Sequence, residues 1–135
     1  MNPYSNARQA YAQSSVLTAS REQLVVMLYD GAIRFLRQSA ESMRAGDREQ
    51  SRNRMRRAEA IIDELNGSLD LSYGEVPARL RSIYLFCKRH LIHANVAQEP
   101  DAIDAVVRLL AELREAWDQL ANPAAVETQA LAATA

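Results

Sequence analysis

The sequence has 135 residues, of which 48% are hydrophobic but only 6% aromatic, and its formal net charge is −1. This length is typical of one domain with its own core, and a single cysteine, Cys87, excludes a disulfide framework and favours a reducing compartment. The near-zero charge argues against a broad nucleic-acid-binding surface, and the absence of a leader pattern or an apolar run of about 18 residues predicts a cytoplasmic protein with no membrane insertion.

The first predicted elements are a polar arm and a helix. Residues 1–19 contain few large apolar groups, and we expect them to form an N-terminal arm or cap. Ser20 followed three residues later by Gln23 is a capping box, which predicts the start of a helix. The helix is expected to run to Arg44, because Ala45-Gly46 supplies a left-handed stop.

Two more helices are predicted in the middle of the chain. The second is expected over 47–69, starting from an Asp47 cap, and the third starts with Pro77 in its first turn and ends at Ala94 before a break over 95–99. Each has one apolar stripe with a spacing of three and four residues. The stripes consist of Met55, Ala58, Ile62, Leu65 and Leu69, and of Leu80, Tyr84, Cys87, Leu91 and Ala94.

The fourth predicted helix starts at Pro100 and Asp101 and ends at Asn122-Pro123. Its inner face carries Ile103, Val106, Leu110, Leu113, Trp117 and Leu120. Residues 124–135 are rich in Ala and Thr and are expected to form a flexible tail. Four amphipathic helices with short connections predict an all-α fold, an antiparallel four-helix bundle that forms a single domain over residues 1–123.

The first helix has more apolar surface than one packing stripe needs. Its apolar arc spans about 200°, against roughly 100° for an ordinary surface helix. One face carries Leu24, Leu28, Gly31, Ala32 and Phe35, and the neighbouring face carries Val25, Tyr29, Ile33, Leu36 and Ala40. Either the helix is central and touches several neighbours, or the second face is a groove that the arm or a partner covers. On the third helix, Leu85 and Ile92 lie outside the main stripe and raise the same question.

The sequence offers little evidence for catalysis or metal binding. Cys87, His90 and His93 are three residues apart, and each such step on a helix turns the side chain by about 60°, so that three ligands do not converge. A core thiol beside two partly exposed imidazoles is the simpler interpretation. We find no phosphate-binding glycine loop and no convincing nucleophile with its base, which predicts a non-enzymatic protein with no metal, cofactor or small-molecule substrate.

The basic residues form one cluster, which consists of Arg44, Arg48, Arg52, Arg54, Arg56 and Arg57. The simplest interpretation is a solvated helix face, complemented in part by the acidic residues of the fourth helix. An alternative is a regulatory protein that uses the face from Arg44 to Arg57 to bind nucleic acid or an acidic protein. Nucleic acid is the less favoured ligand, because acidic residues are interspersed and stacking aromatic residues are few.

Several segments together resemble one protein family. The run VLTAS over 16–20, followed by MLYDGAIRFL over 27–36, is similar to the signature of the FliS flagellin export chaperones. The similarity continues in AEAIIDEL over 58–65 and LREAW over 113–117, and it covers roughly residues 2–120. A long run in register with further segments is more specific than one short motif.

The resemblance implies a cytoplasmic chaperone that binds the C-terminal segment of flagellin, prevents its premature polymerisation and supports its delivery to the flagellar type III export gate. It also implies that the N-terminal arm can cover part of the binding site, and that some members contact flagellar regulators. Together with the extra apolar surface, it predicts a set of flagellin-contacting residues. These are Tyr11, Leu17, Val25, Tyr29, Ile33, Leu36, Leu85 and Ile92.

Overall fold

The computed structural model describes residues 18–122, and four helices account for most of them. The helices are α1 (Arg21–Arg44), α2 (Arg48–Gly67), α3 (Glu75–Ala97) and α4 (Pro100–Ala121). The described part of the chain contains no strand, which confirms the prediction of an all-α fold. The predicted arm lies mostly, and the predicted tail wholly, outside the described residues.

Local capping fixes the start of α1 and the turn into α2, as the sequence predicts. The backbone N–H of Gln23 donates to Ser20 Oγ at 3.1 Å, and the Ser20 N–H donates to Gln23 Oε1 at 2.8 Å. After α1, Gly46 adopts a positive φ of 78°, which a glycine accepts without strain. The Asp47 carboxylate then accepts the backbone N–H of Gln50 at 3.1 Å and caps α2.

The end of α3 differs from the prediction. The helix continues past Ala94 to Ala97, so the break expected over 95–99 starts too early. It ends because Gln98 takes the left-handed conformation, with a φ of 53°, and its backbone N–H donates to the Ala94 carbonyl. A glycine usually supplies this conformation. Because a glutamine does so here, the sequence gives no clear stop signal.

The helices form an antiparallel square in which α1 packs closely against both α2 and α4, while α3 lies further from its own two neighbours. A Cβ atom added at Gly31 would lie 3.2 Å from Ile61 Cδ1 of α2, which shows how near these two helices are. Close to the turn between them, the buried Ser39 Oγ donates to the Ser51 carbonyl at 2.8 Å. Arg114 of α4 pairs with Asp30 of α1 at 2.9 Å.

The core consists largely of the residues that the periodicity predicts on three of the four helices. Each member of the predicted α3 stripe is buried, and on α2 and α4 the stripe is buried except at its C-terminal end. The buried members are Met55, Ala58, Ile62, Leu65, Leu80, Tyr84, Cys87, Leu91, Ala94, Ile103, Val106 and Leu110.

On α1 the face predicted to line a groove is the more deeply buried one, and the face predicted to pack is mixed, since Ala32 of that face is 0% exposed. Tyr29 and Leu36 are 0% exposed and Ile33 is 7% exposed, so the face predicted to line a groove lies in the core. Leu24, assigned to the packing face, is 37% exposed, and the neighbouring Met27 is 44% exposed. The reason is that α1 packs closely against both α2 and α4 and faces α3 across the core, so it meets neighbours on several sides. The interpretation of a central helix therefore fits α1 better than that of a groove.

Candidate functional site

A cavity of about 470 Å³ opens at the end of the bundle where α1 and α3 start and α2 and α4 end. We call it the end cavity. Its apolar wall includes Val25 of α1, Leu65 of α2, Leu80 of α3, and Leu113 and Trp117 of α4. All four helices therefore contribute to one apolar depression of the size that typically holds a bound group.

The spacing of α3 and the small size of some side chains explain why the end cavity stays open. Since α3 lies further from α2 and α4 than α1 does, the interhelical space at this end needs large side chains to fill it. The cavity is instead lined there by two small residues, Ser68, which caps the end of α2, and Ala116 of α4. The depression therefore results from small side chains at a place where the helices are far apart, and no irregularity of the helices is needed to form it.

Tyr84 at the inner wall of the end cavity belongs to a buried polar pair. Its hydroxyl lies 2.5 Å from the hydroxyl of Tyr29, so that one hydrogen bond crosses the core from α1 to α3. Burial raises the pKa of Tyr29, and the hydrogen bond with Tyr84 raises it further. Burial also raises the pKa of Tyr84. Both phenols therefore stay neutral, and the inner wall of the cavity carries no charge.

Exposed apolar side chains surround the mouth of the end cavity. Tyr73 is 79% exposed, Val76 is 66% exposed and Leu120 is 65% exposed. Next to them, the Asp70 carboxylate accepts hydrogen bonds from the Ser72 backbone N–H and hydroxyl, which order the loop and lower the pKa of Asp70. Charged side chains also line the cavity, among them that of Arg21. Exposed apolar side chains beside an apolar depression are typical of a protein-binding surface.

A second depression lies between the first half of α2 and the second half of α3, towards the opposite end of the bundle, and we call it the α2–α3 groove. Its volume is about 350 Å³. Met55 of α2 is buried beneath it, while Ile92 and Val96 of α3 are 59% and 79% exposed along one wall. Ile92, which the sequence places outside the main stripe of α3, is therefore exposed to solvent.

The predicted contact residues separate into three groups. Val25 lines the end cavity, whereas Leu85 and Ile92 are exposed on α3, and Ile92 belongs to the α2–α3 groove. The second group, Tyr29, Ile33 and Leu36, lies in the core, so their expected surface position is corrected. The third group, Tyr11 and Leu17, lies outside the described residues.

Sequence reasoning missed several residues around the end cavity, among them Tyr73, Val76, Trp117 and Leu120. Trp117 and Leu120 were assigned to the inner stripe of α4. Because the stripe continues past the point where the neighbouring helices cover it, its last turns are only partly buried or exposed. The one signal in the sequence is that the apolar stripe of α4 is longer than the core requires. That length does not predict a cavity unless the position of α3 is known.

The three residues considered for metal binding do not converge on one point, although the rings of His90 and His93 lie 6.3 Å apart. Cys87 is fully buried, His90 stacks on Phe86 with ring centroids 5.4 Å apart, and His93 lies 3.3 Å from a carboxylate oxygen of Glu99. Within residues 18–122, no three His, Cys, Asp or Glu side chains are grouped so that they could hold a metal ion. Burial raises the pKa of the Cys87 thiol from 9.0 to about 11, which disfavours the nucleophilic thiolate.

Because the pKa of Cys87 is raised in the folded protein, the bundle is expected to lose stability at alkaline pH. Between pH 9.0 and about 11 the thiol ionises in the unfolded chain but stays protonated in the folded one, so the folded state binds more protons. We expect the free energy of unfolding to fall through this window by up to about 2–3 kcal/mol from this group. Urea unfolding at several pH values should show a shallower decrease for Cys87→Ala than for the wild type. If the free energy of unfolding fell equally steeply with pH in the two proteins, the pKa of Cys87 would not be raised in the folded state.

The acidic residues of α4 do not complement the arginines of α2, because these two helices are diagonal in the bundle. Arg44, at the end of α1, is the member of the basic cluster that reaches them. It pairs with Asp101 at 3.0 Å and also with Asp104. The α2 arginines face solvent instead, apart from Arg54, which is partly buried.

Within residues 18–122, no helix is both long enough and apolar enough to cross a lipid bilayer.

A family model described as flagellar protein FliS matches residues 4–124 of the chain. The chain is 33% identical over 118 residues to the flagellar secretion chaperone FliS of Bacillus subtilis, with 87% of this chain and 85% of the relative covered. It is 34% identical over 125 residues to the chaperone of the same name from Salmonella typhimurium, with 88% and 93% covered.

Proposed function

Because the chain belongs to the FliS family, whose similar relatives are named flagellar secretion chaperones, we propose that it binds the C-terminal segment of flagellin in the cytoplasm. Binding keeps the segment from polymerising early and supports delivery of flagellin to the flagellar type III export apparatus. The family is one of chaperones, which agrees with the expectation of a non-enzymatic protein.

The end cavity is the observation that carries this proposal. It offers about 470 Å³ of space with apolar walls from four helices and an exposed apolar rim. A flagellin segment that buries apolar side chains on assembly presents the matching chemistry, since an amphipathic helix lays its apolar face into such a depression. The same side chains are then covered by the chaperone and are not available to another flagellin molecule.

The proposed contacts are revised by the positions of the side chains. Val25 remains a proposed contact in the end cavity, and Leu85 and Ile92 remain proposed contacts on α3, as do Tyr11 and Leu17 in the arm. Trp117 and Leu120 are added because they line the end cavity. Tyr29, Ile33 and Leu36 are no longer proposed as contacts, since a partner could reach them only after the core had opened.

Calorimetry of the full chain with a synthetic C-terminal peptide of flagellin from the same organism tests the proposal. We expect saturable one-to-one binding with a negative heat-capacity change, because apolar surface is removed from water. Trp117 is the single tryptophan of the chain and lines the end cavity, so its fluorescence emission should shift to shorter wavelength on binding. A peptide with the same composition in scrambled order is the control. Absence of both signals with the native peptide would refute the proposal.

A further inference from the structure

The exposed face of α2 carries three arginines that form no close ion pair with another described residue, although Glu49 lies beside them. In the described part of the chain, Arg48, Arg52 and Arg56 form no ion pair within 4.0 Å. Because they are four residues apart, they lie in one row along the helix, which we call the basic row. Among the described arginines only Arg44, Arg79 and Arg114 form ion pairs, so the distinctive feature of the basic row is its alignment along one helix and not the lack of partners alone.

The basic row forms one side of the α2–α3 groove. Arg52 and Arg56 line it from α2, while Ile92 and Val96 line it from α3. One wall is therefore basic and the other apolar, with the buried Met55 beneath. A helix fits this groove if it carries apolar residues along one edge and carboxylates along the edge that faces α2.

The charge in the groove changes sign along α2. Past Arg56, Glu59 also lines the groove and is partly buried. Burial raises the pKa of Glu59, as does the nearby Asp63, whereas the positive charges of Lys88 and Arg56 oppose this rise. Lys88 of α3 pairs with Asp63 across the two helices at 2.5 Å. Glu59 and Asp63 thus lie towards the middle of the bundle, and the arginines of the basic row lie towards its Arg48 end.

We infer that the α2–α3 groove binds a helical part of the flagellin C-terminal segment whose apolar side chains lie on Ile92 and Val96 and whose carboxylates lie over Arg52 and Arg56. This inference rests on the function proposed above. In this inference the two arginines select acidic residues of the segment. Because those residues must lie at the arginines and away from Glu59, the charges also determine how the segment is oriented along the groove. Carboxylates placed near Glu59 instead would be repelled, whereas at Arg52 and Arg56 they find bidentate donors.

Nucleic acid fits this groove less well than an acidic helix. The residues that line it are basic, apolar, acidic and amide side chains, with no aromatic ring on which a base could stack. The whole chain has a formal charge of −1, so it lacks the basic excess that is typical of nucleic-acid-binding domains. The apolar wall formed by Ile92 and Val96 would also stay exposed to water beside a phosphate backbone.

The double variant Arg52→Glu with Arg56→Glu tests the inference in the calorimetric experiment with the flagellin peptide. We expect affinity to fall about 10- to 30-fold at roughly 50 mM salt, and the difference from wild type to shrink at about 500 mM salt, because exposed ion pairs are screened. The matched control is Arg37→Glu with Arg108→Glu, which changes the net charge equally at two exposed arginines outside the groove. The control should bind the peptide nearly as wild type does.

Reversing the charges on both the protein and the peptide should restore binding, which complements the loss expected above. A peptide in which the acidic residues are replaced by lysine should bind the Arg52→Glu, Arg56→Glu variant more tightly than it binds the wild type. If both double variants weaken binding equally, net charge and not the groove is responsible, and the inference is wrong. If the native peptide binds wild type and the groove variant alike, the inference fails while the proposed function stands.

Two further outcomes separate the remaining possibilities. If the native peptide does not bind wild type at all, the proposed function fails and the inference fails with it. If a 20-nucleotide single-stranded RNA binds wild type near physiological salt and loses binding in the groove variant, while the peptide does not, the groove is a nucleic-acid site and the inference is overturned. Circular dichroism of each variant should match wild type, because the replaced side chains are exposed.

Discussion

Replacing Ile33 and Leu36 together by aspartate is expected to unfold the bundle. The two side chains are 7% and 0% exposed, in a part of the core built from apolar residues. Burying an unpaired carboxylate costs about 3–5 kcal/mol at each position, whereas a small domain is stable by only about 5–15 kcal/mol in total. The measurement is the helical signal in circular dichroism together with thermal unfolding. We expect loss of most of the signal or of the cooperative transition.

The matched control for this variant lies on the same helix. Leu24→Asp with Met27→Asp introduces the same charges on the more exposed side of α1, where the two side chains are 37% and 44% exposed. We expect this variant to remain folded and to lose no more than about 1 kcal/mol per position. If instead the variant at positions 33 and 36 kept a native spectrum and a cooperative transition, those side chains would lie in a surface groove, which is one of the two alternatives that the sequence leaves open, and not in the core.

Replacing Ala116 by glutamate is expected to weaken binding of the flagellin peptide without destabilising the chaperone. Ala116 is exposed and lines the end cavity, so a carboxylate there stays hydrated in the free protein. When an apolar segment enters the cavity, the charge must lose water, or the segment must dock less deeply. We expect an affinity loss of about 10- to 100-fold, which corresponds to roughly 1.4–2.7 kcal/mol. Calorimetry with the peptide measures it.

Ala60→Glu provides the comparison, since Ala60 is also an exposed alanine on a helix but does not line the end cavity. It should bind the peptide with wild-type affinity. Both variants should have midpoints of urea unfolding close to wild type, because exposed substitutions usually change stability by less than about 0.5 kcal/mol. If Ala116→Glu binds as tightly as Ala60→Glu, the end cavity is not the place where the segment docks.

The sequence predicts those parts of the fold that depend on near neighbours. The capping box of Ser20 and Gln23 and the turn at Gly46 are set by a few consecutive residues, and the structure confirms both. The apolar stripes of α2 and α3 are narrow, so each helix has one possible inward face. On α3, the end at Gln98 was missed because a left-handed glutamine is held by its surroundings and has no sequence signal of its own.

The faces of α1 and the end cavity were harder to predict, because they depend on where the other helices lie. A helix that is apolar on both sides, as around Tyr29 and Phe35, does not reveal which side meets three neighbours. The end cavity depends on the distance of α3 from α2 and α4 and on small residues such as Ala116 that no larger side chain covers. Among the predicted contacts, Val25 lies in the cavity, whereas Ile33 turned out to be buried.

The cross-links between helices lie at two levels of the bundle. The buried hydrogen bond from Ser39 to Ser51 and the ion pair of Arg44 with Asp101 lie towards the end opposite the end cavity. In the half that contains the cavity, Tyr84 at its inner wall bonds to Tyr29 across the core, and Arg114 pairs with Asp30. Because both levels hold the helices in place, the cavity keeps its shape without a partner, and binding of a segment costs the chaperone little reorganisation. The chaperone is thus preorganised, and the ordering that accompanies binding falls on the client.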